Sequence, residues 1–187
     1  MSETNSTGII SIDDLFAQYE EYKNGHSKNL TIVQSTSAIT SMIASSLLIL
    51  TIFRSCKRLS TTYHRLLLGM SISDILYSLT FSTFQASSPL DVNYAVWNAK
   101  GNQATCTAQG FLSIVGMAAT FCYSCALNLY YLAIVKHNKT ETYIRTKIEP
   151  FLHGIPVLIA LIWSINGLVN KNYNNSEGGG SCSLSPI

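Results

Sequence analysis

Four long runs of almost uncharged residues restrict the fold of this sequence more than any other feature. They cover residues 29–53, 66–90, 101–135 and 150–170, and Asp74 is their one formally charged side chain, with His153 their only histidine. An α-helix rises about 1.5 Å per residue, so about 20 residues cross the roughly 30 Å hydrocarbon core of a bilayer. Each run is long enough for such a crossing, and a soluble helical core would not be expected to contain four.

The composition agrees with a membrane protein. Charged residues make up 12% of the 187 residues, about half the roughly 25% of soluble domains, which is too few to cover a soluble surface. The net charge of +2 is small and no basic cluster is interleaved with aromatic residues, so nothing favours nucleic-acid binding. We predict an all-α membrane protein with four transmembrane helices, at about residues 29–53, 63–88, 106–136 and 150–170.

The charges of the loops predict the orientation. Eight of the 12 basic residues lie between the first and second runs and between the third and fourth. Basic loops near membrane ends stay in the cytosol, so the acidic N-terminal tail, residues 1–28, should face outside, as should the outer loop 171–187. The expected protein is multi-pass, lies in the plasma membrane and contacts the lipid bilayer. The sequons at Asn5 and Asn174 then lie outside and are candidate glycosylation sites.

Two of the five cysteines lie on the predicted outer side, Cys106 before the third helix and Cys182 after the fourth. We predict that they form a disulfide, with two unpaired thiols as the alternative. Cys122 and Cys125 form a C-x-x-C inside the third run, where no companion ligand accompanies them, so they are expected to be packing thiols. We find no metal-ligand cluster, cofactor motif or catalytic motif, and do not expect an enzyme.

Several stretches resemble the first four helices of a rhodopsin-like (class A) G-protein-coupled receptor. The segment TTYHRLLLGMSISDIL, residues 61–76, is similar to the second helix, and NLYYLAIV, residues 128–135, to the inner end of the third. Trp97, nine residues before Cys106, is similar to the family's loop tryptophan, and Trp163 in LIWSINGL to that of the fourth helix. The resemblance covers residues 29–187 and implies a partial seven-transmembrane receptor domain, in which both tryptophans are structural.

The sequence also departs from that family. Where the typical receptor has D-R-Y, aligned on the trailing LAIV, the acid and arginine positions hold Leu129 and Tyr130, and the first helix lacks the family's Gly-Asn pair. These departures resemble the divergent receptor-like proteins of algae and other protists. The chain stops after the fourth helix, so we expect a fragment or truncated form that does not complete a signalling cycle.

The resemblance implies two candidate sites. The first is a polar hub in which Asp74 meets a stripe spaced four apart on the third helix and can hold a sodium ion: Thr120, Ser124 and Asn128. A protonated Asp74 bonded to Ser71 or Ser78 is the alternative. The second is an inner face directed at a heterotrimeric G protein: Tyr130, Tyr131, Lys136 and Arg145. Tyrosines anchored at the membrane interface, and basic loops that follow from topology alone, are the alternatives to this face.

The leading functional hypothesis is a receptor-like transmembrane signalling protein with an unknown extracellular ligand. A transporter or channel fragment is the first alternative, with Asp74 as an ion or proton site, although such a protein would be expected to carry more intramembrane charges. The second alternative is a four-helix membrane scaffold. The coding sequence beyond Ile187 distinguishes them, because a receptor requires three further apolar runs.

Overall fold

The computed structural model describes residues 12–56, 59–83, 87–88, 100–175 and 182–184. The fold is mostly helical, with a small antiparallel hairpin near its C-terminal end. The elements are α1 (Ile12–Arg54), α2 (Thr62–Ser82), α3 (Gln103–Val135), α4 (Glu149–Val169), β1 (Tyr173–Asn175) and β2 (Cys182–Leu184).

Side-chain caps fix where two of the helices begin. The Thr61 hydroxyl accepts a hydrogen bond from the backbone N–H of His64 at the start of α2, at 3.4 Å. At the start of α3, Asn102 Oδ1 accepts from the Thr105 N–H at 2.9 Å, and Thr105 Oγ1 accepts from the Asn102 N–H at 2.8 Å. This reciprocal capping box satisfies donors that a helix end leaves unpaired.

The chain between α3 and α4 is itself partly helical. A short helical turn, Glu141–Tyr143, is followed by a π-helical segment, Ile144–Ile148, that leads directly into α4. Ile144 is completely buried and belongs to the same core cluster as Leu66 of α2. The connection is therefore packed against the helices rather than being a free loop. π-Helical turns are rare and often accompany functional positions.

The four helices pack in chain order, with α2 between α1 and α3, and α3 between α2 and α4. Glycines allow the closest approach of α2 and α3. A Cβ atom added at Gly116 would lie 2.7 Å from the backbone nitrogen of Tyr77, and one added at Gly69 would lie 2.7 Å from the Tyr123 ring. Small residues at such contacts bring helix backbones together, as is usual where helices pack in lipid.

We expect Gly116→Ala to destabilise the fold by about 1–3 kcal/mol, because the new methyl group would collide with backbone rather than with a flexible side chain. The matched control is Gly154→Ala in α4, where an added Cβ has no neighbour within 4 Å and alanine should stabilise the helix by about 0.5–1 kcal/mol. Melting temperatures of both variants in detergent test this. A Gly116→Ala variant as stable as Gly154→Ala would contradict the close approach.

Three helical stretches among the described residues are long and apolar enough to cross a membrane: Lys28–Arg54, Gln103–Val135 and Glu141–Val169. Four long helices are present in the described part of the chain, as expected, but three rather than the expected four contain a stretch of membrane-spanning composition. α2 does not, because it carries several polar side chains that face its neighbours instead of the surroundings. Those buried residues of α2 are Thr62, Ser71, Ser73, Ser78 and Thr80.

The helix limits expected from the sequence are close for α3 and α4, and the apolar stretch Lys28–Arg54 of α1 is close to the expected 29–53. The whole of α1 is longer than that stretch. α1 begins at Ile12 rather than near residue 29, so part of the expected N-terminal tail is helical. α2 ends at Ser82 rather than near residue 88. Lack of charge marks the apolar part of a helix, whereas a helix can continue into polar sequence. The hairpin of β1 and β2 within residues 171–187 was not expected.

Candidate functional site

A disulfide joins the first turn of α3 to the hairpin. The Cα atoms of Cys106 and Cys182 lie 5.3 Å apart, and both residues are buried, which confirms the predicted pairing. β1 and β2 pair antiparallel, with Asn175 opposite Cys182. The bridge therefore fastens the hairpin over the end of α3 at which that helix begins.

Tyr173 of β1 anchors the hairpin between α3 and α4. Its side chain is completely enclosed, and its hydroxyl donates a hydrogen bond to the Ser164 carbonyl of α4 at 2.8 Å. Burial raises the pKa of this hydroxyl. The ring fits because Gly110 of α3 and Gly167 of α4 have no side chains, and a Cβ on either would lie within 2.9 Å of it. Sequence reasoning did not find Tyr173.

Asp74 of α2 binds α1. Its Oδ2 atom accepts hydrogen bonds from the Ser41 hydroxyl at 2.8 Å and from the Ser45 hydroxyl at 2.5 Å. The two serines are four residues apart and therefore lie on one face of α1. Oδ1 accepts no hydrogen bond from the described residues. One of the two carboxylate oxygens is thus hydrogen-bonded. The serine hydroxyl oxygens that donate to it can still accept hydrogen bonds themselves.

The expected polar hub is not the arrangement observed. Each of its α3 members donates to a carbonyl one turn earlier in the same helix: Thr120 to Gly116, Ser124 to Thr120 and Asn128 to Ser124. Asp74 does not bond to Ser71 or Ser78 either. Short polar side chains in a helix readily satisfy themselves on the preceding turn, so spacing alone did not identify the partner of Asp74.

A cavity of about 330 Å³ lies between α1 and α2 beside this carboxylate. Asp74 and Ser41 line it together with Gln34, whose Oε1 atom is buried without a hydrogen-bond partner among the described residues. These groups present acceptor oxygens, so the cavity suits a hydrogen-bond donor or a small cation. No group of three His, Cys, Asp or Glu side chains in the described part of the chain can hold a metal ion.

We expect the double variant Ser41→Ala/Ser45→Ala to lose about 2 kcal/mol of stability, because hydrogen bonds to charged groups are the stronger ones. Ser46→Ala is the matched control, since Ser46 is exposed and donates to the Met42 carbonyl of its own helix, and it should change stability by less than about 0.5 kcal/mol. Thermal unfolding in detergent measures both. Adding Asp74→Asn to the double variant should restore part of the loss, and no restoration would contradict a stabilising contact between this carboxyl group and the two serines.

The opposite end of the bundle is held by an ion pair between α2 and α4. Arg65 Nε lies 2.5 Å from Glu149 Oε1, and Arg65 Nη2 donates to Glu149 Oε2 at 2.6 Å. The Thr62 hydroxyl donates to the same Oε2 at 2.8 Å. The side chains of Arg65 and Glu149 are 22% and 13% exposed, so water screens this pair little.

Glu141 ties the connection between α3 and α4 to the same end. It accepts from the Thr62 N–H at 2.6 Å through Oε1 and from the Tyr130 hydroxyl at 3.0 Å through Oε2. The ring of Tyr130 stacks on that of Tyr63, with centroids 6.2 Å apart. Tyr130 is only 6% exposed and so does not face a cytosolic partner, contrary to expectation.

The remaining predicted site residues differ in their surroundings. The other proposed G-protein contacts, Tyr131, Lys136 and Arg145, are exposed. Trp163 is 58% exposed and does not pack into the core of the described helices. Asn174 lies in β1 and is partly exposed. Asn5 and Trp97 lie outside the described residues.

The fold and these contacts define a mostly helical protein with three stretches suited to a membrane and a disulfide-fastened hairpin at one end. Neither a protein-family model, nor a curated protein, nor a solved structure matches the chain.

Proposed function

We propose that this chain is a receptor-like integral membrane protein that faces outward with its hairpin and inward with the connection between α3 and α4. The observation that carries the proposal is the placement of two chemically opposite features at the two ends of α3. Cys106 in its first turn is oxidised, whereas basic residues follow its last turn. Disulfides persist in oxidising compartments, and basic loops remain in the cytosol. Both features favour the same orientation.

The apolar surface supports insertion into lipid. Large apolar side chains along α3 and α4 are exposed, including Phe121, Ile162 and Val169, which are 69%, 65% and 73% exposed. A soluble monomer rarely exposes a contiguous apolar surface of this kind. Lipid chains would cover it without any protein partner.

Cysteines introduced on the two sides test the orientation. In a variant in which Cys56, Cys122 and Cys125 are replaced by alanine, Lys100→Cys should react with a membrane-impermeant maleimide on intact cells. Asn138→Cys should react only after the cells are permeabilised. Labelling of Asn138→Cys on intact cells would overturn the orientation, and loss of the protein from alkali-washed membranes would overturn insertion.

Two features support the receptor assignment. The disulfide fixes the outer hairpin over the helix ends, and Tyr131, Lys136 and Arg145 are exposed on the proposed inner side. Co-purification of a heterotrimeric G protein, after nucleotides are removed, tests it. Replacing all three residues by alanine should lower the recovered G protein at least about fivefold, as is usual for central interface contacts. The outer double variant Lys100→Ala/Lys171→Ala is the control. No recovery by the wild type would contradict a G-protein contact at these residues.

A transporter or channel is the second candidate, and the half-satisfied Asp74 beside its cavity favours it. An intramembrane carboxylate commonly marks an ion or proton pathway. Ion flux into proteoliposomes distinguishes the two functions. A flux that Asp74→Asn abolishes would favour the transporter, and three further apolar runs in the coding sequence beyond Ile187 would favour the receptor.

A further inference from the structure

The connection between α3 and α4, residues 136–148 and here called the inner basic loop, exposes only positive charge. Its four basic side chains are all exposed, and no carboxylate among the described residues lies within ion-pair distance of any of them. They are Lys136, Lys139, Arg145 and Lys147. The Lys139 ammonium lies 5.0 Å from the centre of the Tyr143 ring, which leaves its outer side open.

The two acids that the sequence places with these residues are both directed away from the surface. Glu141, within the loop, accepts hydrogen bonds through its two carboxylate oxygens from the Thr62 N–H and the Tyr130 hydroxyl. Glu149, just after the loop, is paired with Arg65 through both oxygens. The sequence alone would suggest a loop of mixed charge. Because both acids are engaged in these contacts, the most exposed charged side chains of the loop are all basic.

The position of the loop relative to the ends of α3 and α4 is also fixed. Ile144, at the centre of the loop, is completely buried. Val135 ends α3 immediately before the loop, and α4 begins immediately after it at Glu149. α3, which precedes the loop, has membrane-spanning composition, and the apolar stretch Glu141–Val169 includes the second half of the loop together with α4. With these stretches inserted in a bilayer, the basic side chains at their margin would lie at the depth of the headgroups.

We propose that the inner basic loop binds the phosphate-bearing headgroups of anionic phospholipids, and that the inward pairing of Glu141 and Glu149 creates this surface. This inference rests on the proposed membrane insertion, because the headgroups must lie beside the loop. Lysine and arginine side chains near an anionic leaflet each add attraction that falls off within a Debye length. A fixed arrangement of four gives selectivity for anionic over zwitterionic lipid.

Reconstitution into phosphatidylcholine vesicles tests the proposal, with spin-labelled phosphatidylserine and spin-labelled phosphatidylcholine as probes. Electron spin resonance measures how much of each probe the protein immobilises. The wild type should prefer phosphatidylserine at least about fivefold, and 0.5 M salt should remove most of the preference. Replacing all four basic residues by glutamine should remove most of the preference. A wild-type preference of one, with phosphatidylcholine still immobilised, would overturn this inference alone.

Matched variants locate the effect. Lys139→Gln/Lys147→Gln should lower the preference at least about threefold, whereas Lys100→Gln/Lys171→Gln, which removes two lysines at the other end, should leave it within about twofold. Glu141→Gln should also leave it unchanged, because that carboxylate does not face the lipid, and a marked rise would overturn the role given to inward pairing. Added inorganic phosphate should not compete, since competition would indicate a site for free phosphate. Failure to immobilise either lipid would instead contradict membrane insertion.

Discussion

Replacing either Cys106 or Cys182 by alanine is expected to produce one of the two largest losses of stability in this protein. The bridge spans 76 residues of sequence, and closing a loop of that length lowers the entropy of the unfolded chain by an amount worth about 4 kcal/mol. Both cysteines are buried, so the loss of the bridge also frees the hairpin that holds Tyr173. Each single variant should melt far below the wild type in detergent.

A cycle separates the bridge from the side chains that form it. The double variant Cys106→Ala/Cys182→Ala should be about as unstable as either single variant, because the first substitution already removes the bond. Cys125→Ala is the control, since Cys125 is an exposed free cysteine of α3. The wild type treated with reductant should resemble the double variant. Additive losses from the two single variants would contradict a shared bond.

The sequence predicted what depends on composition and failed on what depends on helix rotation. The uncharged runs located α3 and α4 to within three residues at each end. The partner of Asp74 could not be found in the same way, because Ser41 and Ser45 of α1 have the same four-residue spacing as Thr120 and Ser124 of α3. Which stripe faces Asp74 is decided by how each helix is turned about its axis. Packing decides that rotation, and the spacing of polar residues does not.

The hairpin and the contacts of Glu141 and Glu149 were not predicted, for a related reason. β1 and β2 are three residues each, too short to show an alternating pattern of apolar and polar residues. The disulfide and the burial of Tyr173 hold them in place instead. In the sequence, nothing distinguishes Glu141 and Glu149 from exposed acids in a charged loop. Their inward direction depends on Thr62 and Arg65, which are more than 75 positions away in the sequence. Contacts of that kind follow only from the packed structure.

Breaking the Arg65–Glu149 pair is expected to be the other large effect. Arg65→Met removes the guanidinium and leaves the Glu149 carboxylate, which is 13% exposed, with the Thr62 hydroxyl as its remaining close donor. Removing one partner of a buried ion pair typically costs about 3–5 kcal/mol, and we expect a loss near the lower end because Arg65 is 22% exposed. Unfolding in detergent, followed by circular dichroism, measures it.

Two further variants show whether the loss comes from an unpaired charge or from missing contact area. Arg65→Met/Glu149→Gln removes both charges, and it should recover more than half of the stability lost in Arg65→Met, because replacing both members of a buried pair is far less costly than removing one. Arg145→Met makes the same substitution at an exposed site and should shift stability by less than about 0.5 kcal/mol. If the double variant is no more stable than Arg65→Met alone, then the arginine stabilises this end of the bundle through its packed aliphatic stem. The charge it supplies to Glu149 would then contribute little.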